Sequence, residues 1–332
     1  MSLDFDYELF KNMKPMKYYE NDWKLPKAQE MINNTNNEFF AMRKHDGEWS
    51  RAIIDLDGNV LMQSRSISKK TKEYGDKTAY VPHIVDELKN FLPPGTVLLG
   101  EIAFNDWEST SRETASIMRS LPARAVRLQT EEHRKLHFFV FDVLAYDGRS
   151  LMDKPFQERF KAYPELIDGR YVVPVMSVSG PDADFMEFAD YVWKNGGEGI
   201  MIVRKDMMYQ PGSRRAWQTL KIKKKLGDLE VNIIDTIEPK KLYEGNSLDW
   251  EYEIDGVKVT KPYYFGWKNG VVVEYEGRII NVTSGLTDKD REWLATSEAK
   301  KIIDNKTLKG VISGMELTEN SVRHPIFKYF IK

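Results

Sequence analysis

The chain of 332 residues contains no cysteine. That excludes a disulfide framework, a thiolate zinc site and a cysteine nucleophile. It fits a reducing compartment, so a cytoplasmic location is expected. An excess of one charge is missing too: 49 basic and 51 acidic residues leave a formal charge of −2. A protein that coats polyanions through bulk positive charge is thereby disfavoured. Long hydrophobic runs are also lacking. The stretch Phe138 to Ala145 holds Asp142, and it is far shorter than the roughly 20 residues needed to span a bilayer. The opening residues, MSLDFDYELFKN, carry no basic-then-apolar leader pattern. Neither secretion nor membrane insertion is expected. Internal repeats and low-complexity tracts are absent.

What is there is a globular composition, 41% apolar and 30% charged. The length predicts about two domains. Aromatic residues reach 12%, enough for cores and for sites that stack on bases. Cationic charge is concentrated near the centre. From Arg204 to Lys225 there are eight basic residues (Arg204, Lys205, Arg214, Arg215, Lys221, Lys223, Lys224, Lys225) against one acid, Asp206. Such a cluster reads as a phosphate-facing surface. A boundary is expected just after it, at Leu226-Gly227-Asp228, dividing the chain into 1–226 and 227–332.

In the first part, Glu38 to Asp55 predicts two strands about a turn at Asp46-Gly47, and Asn59 to Ser66 a third. Pro82 to Phe91 predicts a helix with Ile84, Leu88 and Phe91 on one face. Thr96 to Phe104, His137 to Ala145 and Gly199 to Arg204 predict strands. Thr110 to Gln129 predicts a helix bent or broken at Pro122, and Asp182 to Lys194 a helix ended by Asn195-Gly196-Gly197. In the second part, strands are expected at Glu230 to Ile237, Tyr263 to Trp267, Gly270 to Tyr275, Arg278 to Val282 and Gly310 to Met315. A helix is expected at Asp288 to Asn305. Several strands and one inserted helix in about 100 residues suggest a small oligonucleotide-binding (OB) barrel.

The chemical signal begins at Lys44-His45-Asp46-Gly47. A lysine amine is a nucleophile only when neutral, and burial with nearby cations is expected to lower its pKa. Asp-Gly allows the tight turn that would hold the amine at a pocket mouth. Alone, the tetrapeptide reads first as a hairpin turn with a solvated lysine. It is followed in order by Ser64-Arg65, Leu99-Gly100-Glu101, Phe141-Asp142-Val143-Leu144, Glu198-Gly199-Ile200-Met201-Ile202 and Leu220-Lys221-Ile222-Lys223. Lys221 and Lys223 alternate along a strand, so their amines share a face.

This ordered series, spanning about half the chain, resembles the motifs of the covalent nucleotidyl-transferases: ATP-dependent DNA ligases, RNA ligases and mRNA-capping enzymes. The tail segments Val282 to Asp288 and Arg323 to Phe327 resemble the C-terminal domain of small bacteriophage ATP-dependent DNA ligases. The resemblance implies an α+β fold. A nucleotidyl-transferase (ATP-grasp-like adenylation) domain would cover 1–226 and an OB-fold DNA-binding domain 227–332. It implies an enzyme that forms phosphodiester bonds, with ATP and Mg²⁺ as cofactors and nicked duplex DNA as partner. A monomer, in the cytoplasm of a bacterial host if phage-encoded, is expected.

The resemblance also implies residue roles. Lys44 would attack the α-phosphorus of ATP and carry AMP, with Asp46 positioning it or only shaping the turn. Arg65 would hold a phosphate, Glu101 the ribose or a metal-bound water, and Phe141 the adenine face. Glu198 would hold Mg²⁺ with Glu101, while Gly197 and Gly199 let backbone approach a ligand. Lys221 and Lys223 would neutralise the triphosphate and help keep Lys44 neutral. Arg214, Arg215, Lys224, Lys225, Arg119, Arg124 and Arg127 would grip the DNA backbone. Arg323 and Lys328 would close over the pyrophosphate. Two positions depart from the family pattern. Trp49 stands where an arginine is usual, and Arg51, two residues on, is expected to substitute. Met42 replaces a glutamate, which leaves the choice of ATP over GTP with less support. The rival readings are an RNA ligase or capping guanylyltransferase, and a non-catalytic OB protein that binds nicked duplexes.

Overall fold

The computed structural model describes residues 4–21, 23–68, 71–107, 110–162, 169–223, 226–245, 247–314, 316–317 and 320–331. The chain forms two compact units, 1–223 and 224–332. No helix among the described residues is long and apolar enough to cross a membrane.

The first unit holds two sheets. In a four-stranded sheet, Phe39–Lys44 lies between Gly199–Arg204 and Ser177–Ser179, with Thr219–Lys223 beyond Gly199–Arg204. The larger sheet runs through Tyr74–Asp76, Val60–Ile67, Glu48–Ile54, Thr96–Phe104, Leu136–Tyr146 and Arg149–Ser150. Val172–Pro174 joins it in parallel beside Leu136–Tyr146.

The expected strands flanking Asp46-Gly47 are present, but they do not pair as a hairpin. Phe39–Lys44 pairs with Gly199–Arg204, and Glu48–Ile54 with Val60–Ile67 and Thr96–Phe104. The turn carries the chain from one sheet to the other. Gly47 makes the crossing possible: a Cβ there would lie 2.2 Å from the Ile102 carbonyl oxygen.

Period-two alternation sorts the small sheet into two faces. Phe39, Ala41, Ile200, Ile202, Leu220 and Ile222 pack against the helices Pro26–Asn33 and Phe185–Lys194. Phe40, Met42, Met201 and Val203 turn the other way, into the core shared with the larger sheet. Each fully buried aliphatic chain contributes about 1.5–3 kcal/mol. A one-residue slip would exchange the two faces, so burial pins the register. Lys44, Lys221 and Lys223 fall on the same side as Met42 and Met201.

Pro82–Phe91 is helical, and Ile84 and Leu88 are buried. Phe91, expected on that face, is 71% exposed because the helix ends there. The helix expected over Thr110 to Gln129 is two, Ser111–Met118 and Pro122–Glu131, with Pro122 at the first turn of the second. Proline there gives up only an amide that the first turn leaves unpaired.

In the second unit the sheet order is Arg278–Val282, Gly270–Tyr275, Leu226–Ile237, Lys309–Gly314 and Ile326–Ile331. Ser284, just past the first of these, bridges in parallel to Ile326 on the last, which curls the sheet towards closure. Five strands in this order, with the helices Asp288–Leu294 and Ser297–Asp304 inserted before Lys309–Gly314, make an OB-like barrel. The single helix expected at Asp288 to Asn305 is thus split, and Thr296 caps the second half. The strand expected at Tyr263 to Trp267 is instead the helix Lys261–Phe265. Thr260 caps it, Pro262 opens it, and left-handed Gly266 (φ 70°) ends it. Met315 lies outside the described residues.

Candidate active site

The crossover places Lys44 at the end of its strand, where cross-strand pairing lines up Lys44, Gly199 and Lys223. The next row on the same face is Met42, Met201 and Lys221. Gly199 has a φ of 151°, and a Cβ on it would lie 2.0 Å from the Ile222 carbonyl oxygen. Gly197 is crowded by Val192, 2.6 Å from where its Cβ would be. Both glycines therefore admit the protein's own chain at close range.

The larger sheet supplies the facing row, Trp49, Glu101 and Phe139 in register. One pocket is lined by Lys44, Arg65, Glu101, Phe141 and Lys221, all expected, together with Tyr18, Met42, Arg43, His45, Trp49, Phe139, Val175 and Met201. His45 stacks on Phe139 with ring centroids 3.7 Å apart. Tyr18 meets Phe141 edge-on at 6.1 Å. Of the added aromatic residues, Tyr18 and Phe139 were not legible as site residues, because they belong to no motif.

Glu198 joins the two lysines. Its carboxylate pairs with the Lys44 amine and lies 3.6 Å from Lys223 Nζ. The Trp193 indole N–H donates to the Glu198 carbonyl at 3.2 Å and steadies that backbone. Outside the expected set, Glu20 reaches in from the N-terminal segment. Its two oxygens lie 3.4 Å from Lys221 Nζ and 3.4 Å from Lys223 Nζ. The site is a chain of alternating charge: Lys44, Glu198, Lys223, Glu20, Lys221.

That chain overturns one expectation. Burial of Lys44 favours its neutral amine, but Glu198 and Glu101 outweigh burial, and its pKa is raised. The neighbouring cations do not prevail, and without nucleotide the amine is an ammonium. Lys221 moves the other way: burial, with Lys223 and Lys44, lowers its pKa against the pull of Glu20. Burial also lifts the Glu101 carboxyl to about 7, helped by Glu198 and Asp46 and opposed by Lys44 and the Gly47 N–H.

The remaining expected residues divide. Asp46 accepts a 2.9 Å hydrogen bond from Ser111 N–H at the start of the helix Ser111–Met118, which ties down the turn. Arg51 does not line the pocket. It is fully buried, and its guanidinium donates to the Lys11 and Met13 carbonyls and to Gln63. This corrects its expected role as a substitute phosphate ligand. Asp142 of the Phe141 motif is likewise structural, in a fully buried bidentate pair with Arg159 at 2.8 and 3.0 Å. Arg119, Arg124, Arg127 and Arg214 are exposed. Arg215 is half-buried and bonded to Gln218 and Gln210. Arg323 sits on the short strand Val322–Arg323 of the second unit, and Lys328 is exposed on Ile326–Ile331. Lys224 and Lys225 lie outside the described residues.

Among the described residues no three potential ligands cluster around one metal position. Glu101 and Glu198 interact as a pair. Two oxygen donors suit Mg²⁺, which is usually held by one or two carboxylates plus substrate phosphates.

The family model described as ATP dependent DNA ligase domain matches residues 23–223. A DNA ligase of Thermococcus fumicolans is 30% identical over 196 residues, covering 58% of this chain and 33% of that protein. DNA ligase C1 of Mycolicibacterium smegmatis is 31% identical over 200 residues, covering 57% of this chain and 53% of that one. The chain thus spans between a third and about half the length of these relatives. Among solved structures, a Lig E DNA ligase superposes with a TM-score of 0.60 at 17% identity, over 96% of this chain and 98% of that one. The ligase domain of M. tuberculosis LigD superposes with a TM-score of 0.51 at 21% identity, over 97% and 96%. The matched segment contains the pocket's Lys44, Glu101, Phe141 and Lys221, with Glu198 and Lys223 paired beside Lys44, and the chain belongs to the ATP-dependent DNA ligase domain family.

Proposed function

We propose that this chain seals nicks in duplex DNA, using ATP and a lysine–AMP intermediate. The observation that carries this reading is the row Lys44, Gly199, Lys223 beside Lys221, facing an aromatic-lined pocket. Lys44 Nζ attacks the α-phosphorus of ATP, a P–N bond forms, and pyrophosphate leaves. The 5′-phosphate at a nick then takes the AMP, and the 3′-hydroxyl displaces it to join the strand. Lys221 and Lys223 stabilise charge on the leaving pyrophosphate. Arg65 holds a phosphate and Phe141 packs on the adenine.

The ammonium form of Lys44 sets a condition for the first step. Its proton is held by the charges of Glu198 and Glu101 against burial. Once those charges are neutralised, burial acts alone and favours the nucleophile. Glu198 and Glu101, with the phosphates, would hold Mg²⁺, which would supply positive charge there. Met42 and Trp49 stand in the pocket where the family pattern has a glutamate and an arginine. The pocket therefore reads the base by shape and stacking more than by a carboxylate.

On this reading residues 1–226 adenylate and 227–332 grip DNA, turning about 226–228. Arg119, Arg124, Arg127, Arg214, Arg215, Lys224 and Lys225 contact DNA phosphates, which position without reading sequence. The working unit is a cytoplasmic monomer. The test is α-labelled ATP with Mg²⁺, on wild type and Lys44→Ala, followed by nicked duplex DNA. Label on wild type alone, discharged as the nick closes, is the expected result. Label from GTP, or discharge only on nicked RNA, would favour the capping or RNA-ligase reading. A folded, AMP-free wild type that binds nicks but takes no label would leave a non-catalytic binding protein.

A further inference from the structure

We infer that Glu20 is a specificity-determining residue, a carboxylate that occupies the triphosphate's lysines until a polyphosphate displaces it. The inference rests on the lysine–AMP reading above and adds a residue that no motif contains.

The geometry is that of a stand-in. Glu20 offers one oxygen to Lys221 and the other to Lys223, each at 3.4 Å. Two anionic oxygens on one centre bridging two ammonium groups is also how a phosphate would sit there. Lys221 and Lys223 are largely enclosed, with side chains 23% and 19% exposed, while the Glu20 side chain is 54% exposed. The cations are therefore fixed and the carboxylate is free to leave towards water. An ion pair with an exposed partner is weak and easily exchanged.

The backbone beneath Glu20 is anchored, so only the side chain needs to move. Tyr19 N–H donates to Thr219 Oγ1 at 2.7 Å, and Lys221 N–H donates to the Tyr19 carbonyl at 3.2 Å. Tyr19 also packs edge-on against Trp217 at 5.1 Å. The Glu20 carboxylate is thus tethered within reach of the two amines and returns when they are vacated. The two lysines hold its pKa below the usual carboxylate range, against the opposing effect of burial, so it stays charged at neutral pH.

Two consequences follow from this competition. A triphosphate can take both lysines from Glu20, whereas AMP, with a single phosphate bound to the nucleophile end of the row, cannot. Glu20 therefore selects against ligands with too little phosphate. After AMP transfer, its return opposes rebinding of pyrophosphate. That disfavours the reverse step, in which pyrophosphate oxygen attacks the lysine-bound phosphorus, the P–N bond breaks and ATP re-forms.

The experiment compares wild type, Glu20→Gln and Glu20→Asp in the full chain, with thermal melts to establish folding. Glu20→Gln removes the charge at constant size. It is expected to lower the KM for ATP in lysine adenylylation by about three- to tenfold. The half-saturating pyrophosphate in the reverse reaction should fall likewise, with the rate at saturating ATP within about twofold. Glu20→Asp keeps the charge and should stay closer to wild type. In a Lys221→Met background, the effect of Glu20→Gln should shrink but persist, because one of its two partners is gone and Lys223 remains. Equal or higher KM values in a folded Glu20→Gln would overturn the inference and leave the lysine–AMP reading standing. No labelling of wild type under any condition would overturn both.

Discussion

Arg51 and Lys44 are cations on adjoining strands, and their partners give them different work. The Arg51 guanidinium meets two backbone carbonyls and Gln63 in full burial. Burial lowers its pKa to about 10, still well above neutrality. Arg51→Met should destabilise the first unit by about 2–4 kcal/mol, since it orphans buried acceptors. The KM for ATP, measured below the melting transition, should not change. A raised KM with unchanged stability would return Arg51 to the phosphate. Replacing Trp49 gives the contrasting result, because Trp49 does line the pocket. His45 makes a different residue-scale prediction. Burial, then Arg43 and Lys44, holds its pKa well below 6.5, and His83 and His137 are lowered too, chiefly by burial. The unfolded chain takes these protons near 6.5 and the folded chain only at lower pH. Their stability contribution is therefore intact above about pH 6.5 and lost as pH falls below it, at up to about 1.4 kcal/mol per pH unit for each histidine still neutral in the fold. Melting curves from pH 8 to 5 should show this fall, and His45→Phe, which keeps the stack on Phe139, should flatten it. An unchanged slope in that variant would place the His45 pKa near its ordinary value.

At the scale of elements, punctuation was more legible than propensity. Pro82 at the start and apolar residues at helical spacing define Pro82–Phe91 from sequence. Tyr263 to Trp267 read as a strand because aromatic residues favour sheets. The Thr260, Pro262 and Gly266 signals around it decided for a helix instead. Strand pairing was beyond the sequence. Phe39–Lys44 and Glu48–Ile54 look like a hairpin locally and belong to separate sheets, since non-local partners bury their faces. The same limit explains the site. Lys44, Glu198, Lys221 and Lys223 were readable as ordered motifs. The protonation of Lys44 depends on which carboxylates the fold brings near, and Glu20 enters from 201 and 203 residues away in sequence from its partners (221 − 20 and 223 − 20). Register is the element-scale device that assembles the row. Gly199→Ala should therefore disturb the pairing of Lys44 with Lys223, because its Cβ meets the Ile222 carbonyl oxygen at 2.0 Å in a conformation with φ of 151°. A stability loss of about 2–4 kcal/mol is expected, with labelling by ATP reduced at least tenfold in the protein that remains folded. Normal labelling would mean the row tolerates a shift of its central strand.

At the scale of the molecule, every residue lining the proposed nucleotide pocket lies within unit 1–223, while Arg323 and Lys328 lie in the other unit. The proposed function asks two things of residues 227–332: a grip on the duplex, and contact with the pyrophosphate during adenylylation. The two can be separated experimentally. The unit 1–223 has its own cores, two hydrophobic clusters on either side of the small sheet. A chain ending at 228 is therefore expected to fold, with a cooperative melt of its own. It should lose binding to nicked duplex DNA and should adenylate slowly, because the leaving pyrophosphate has fewer cations to meet it. The full chain carrying Arg323→Ala and Lys328→Ala should reproduce the slow adenylylation and keep most of the duplex binding. On the proposed reading, the two substitutions remove only about two of many DNA-phosphate contacts. If the double variant labels at the wild-type rate while the truncated chain does not, the second unit assists by other residues. If the truncated chain still holds nicked DNA, the grip belongs to the first unit, and the assignment of 227–332 as the DNA-binding half fails.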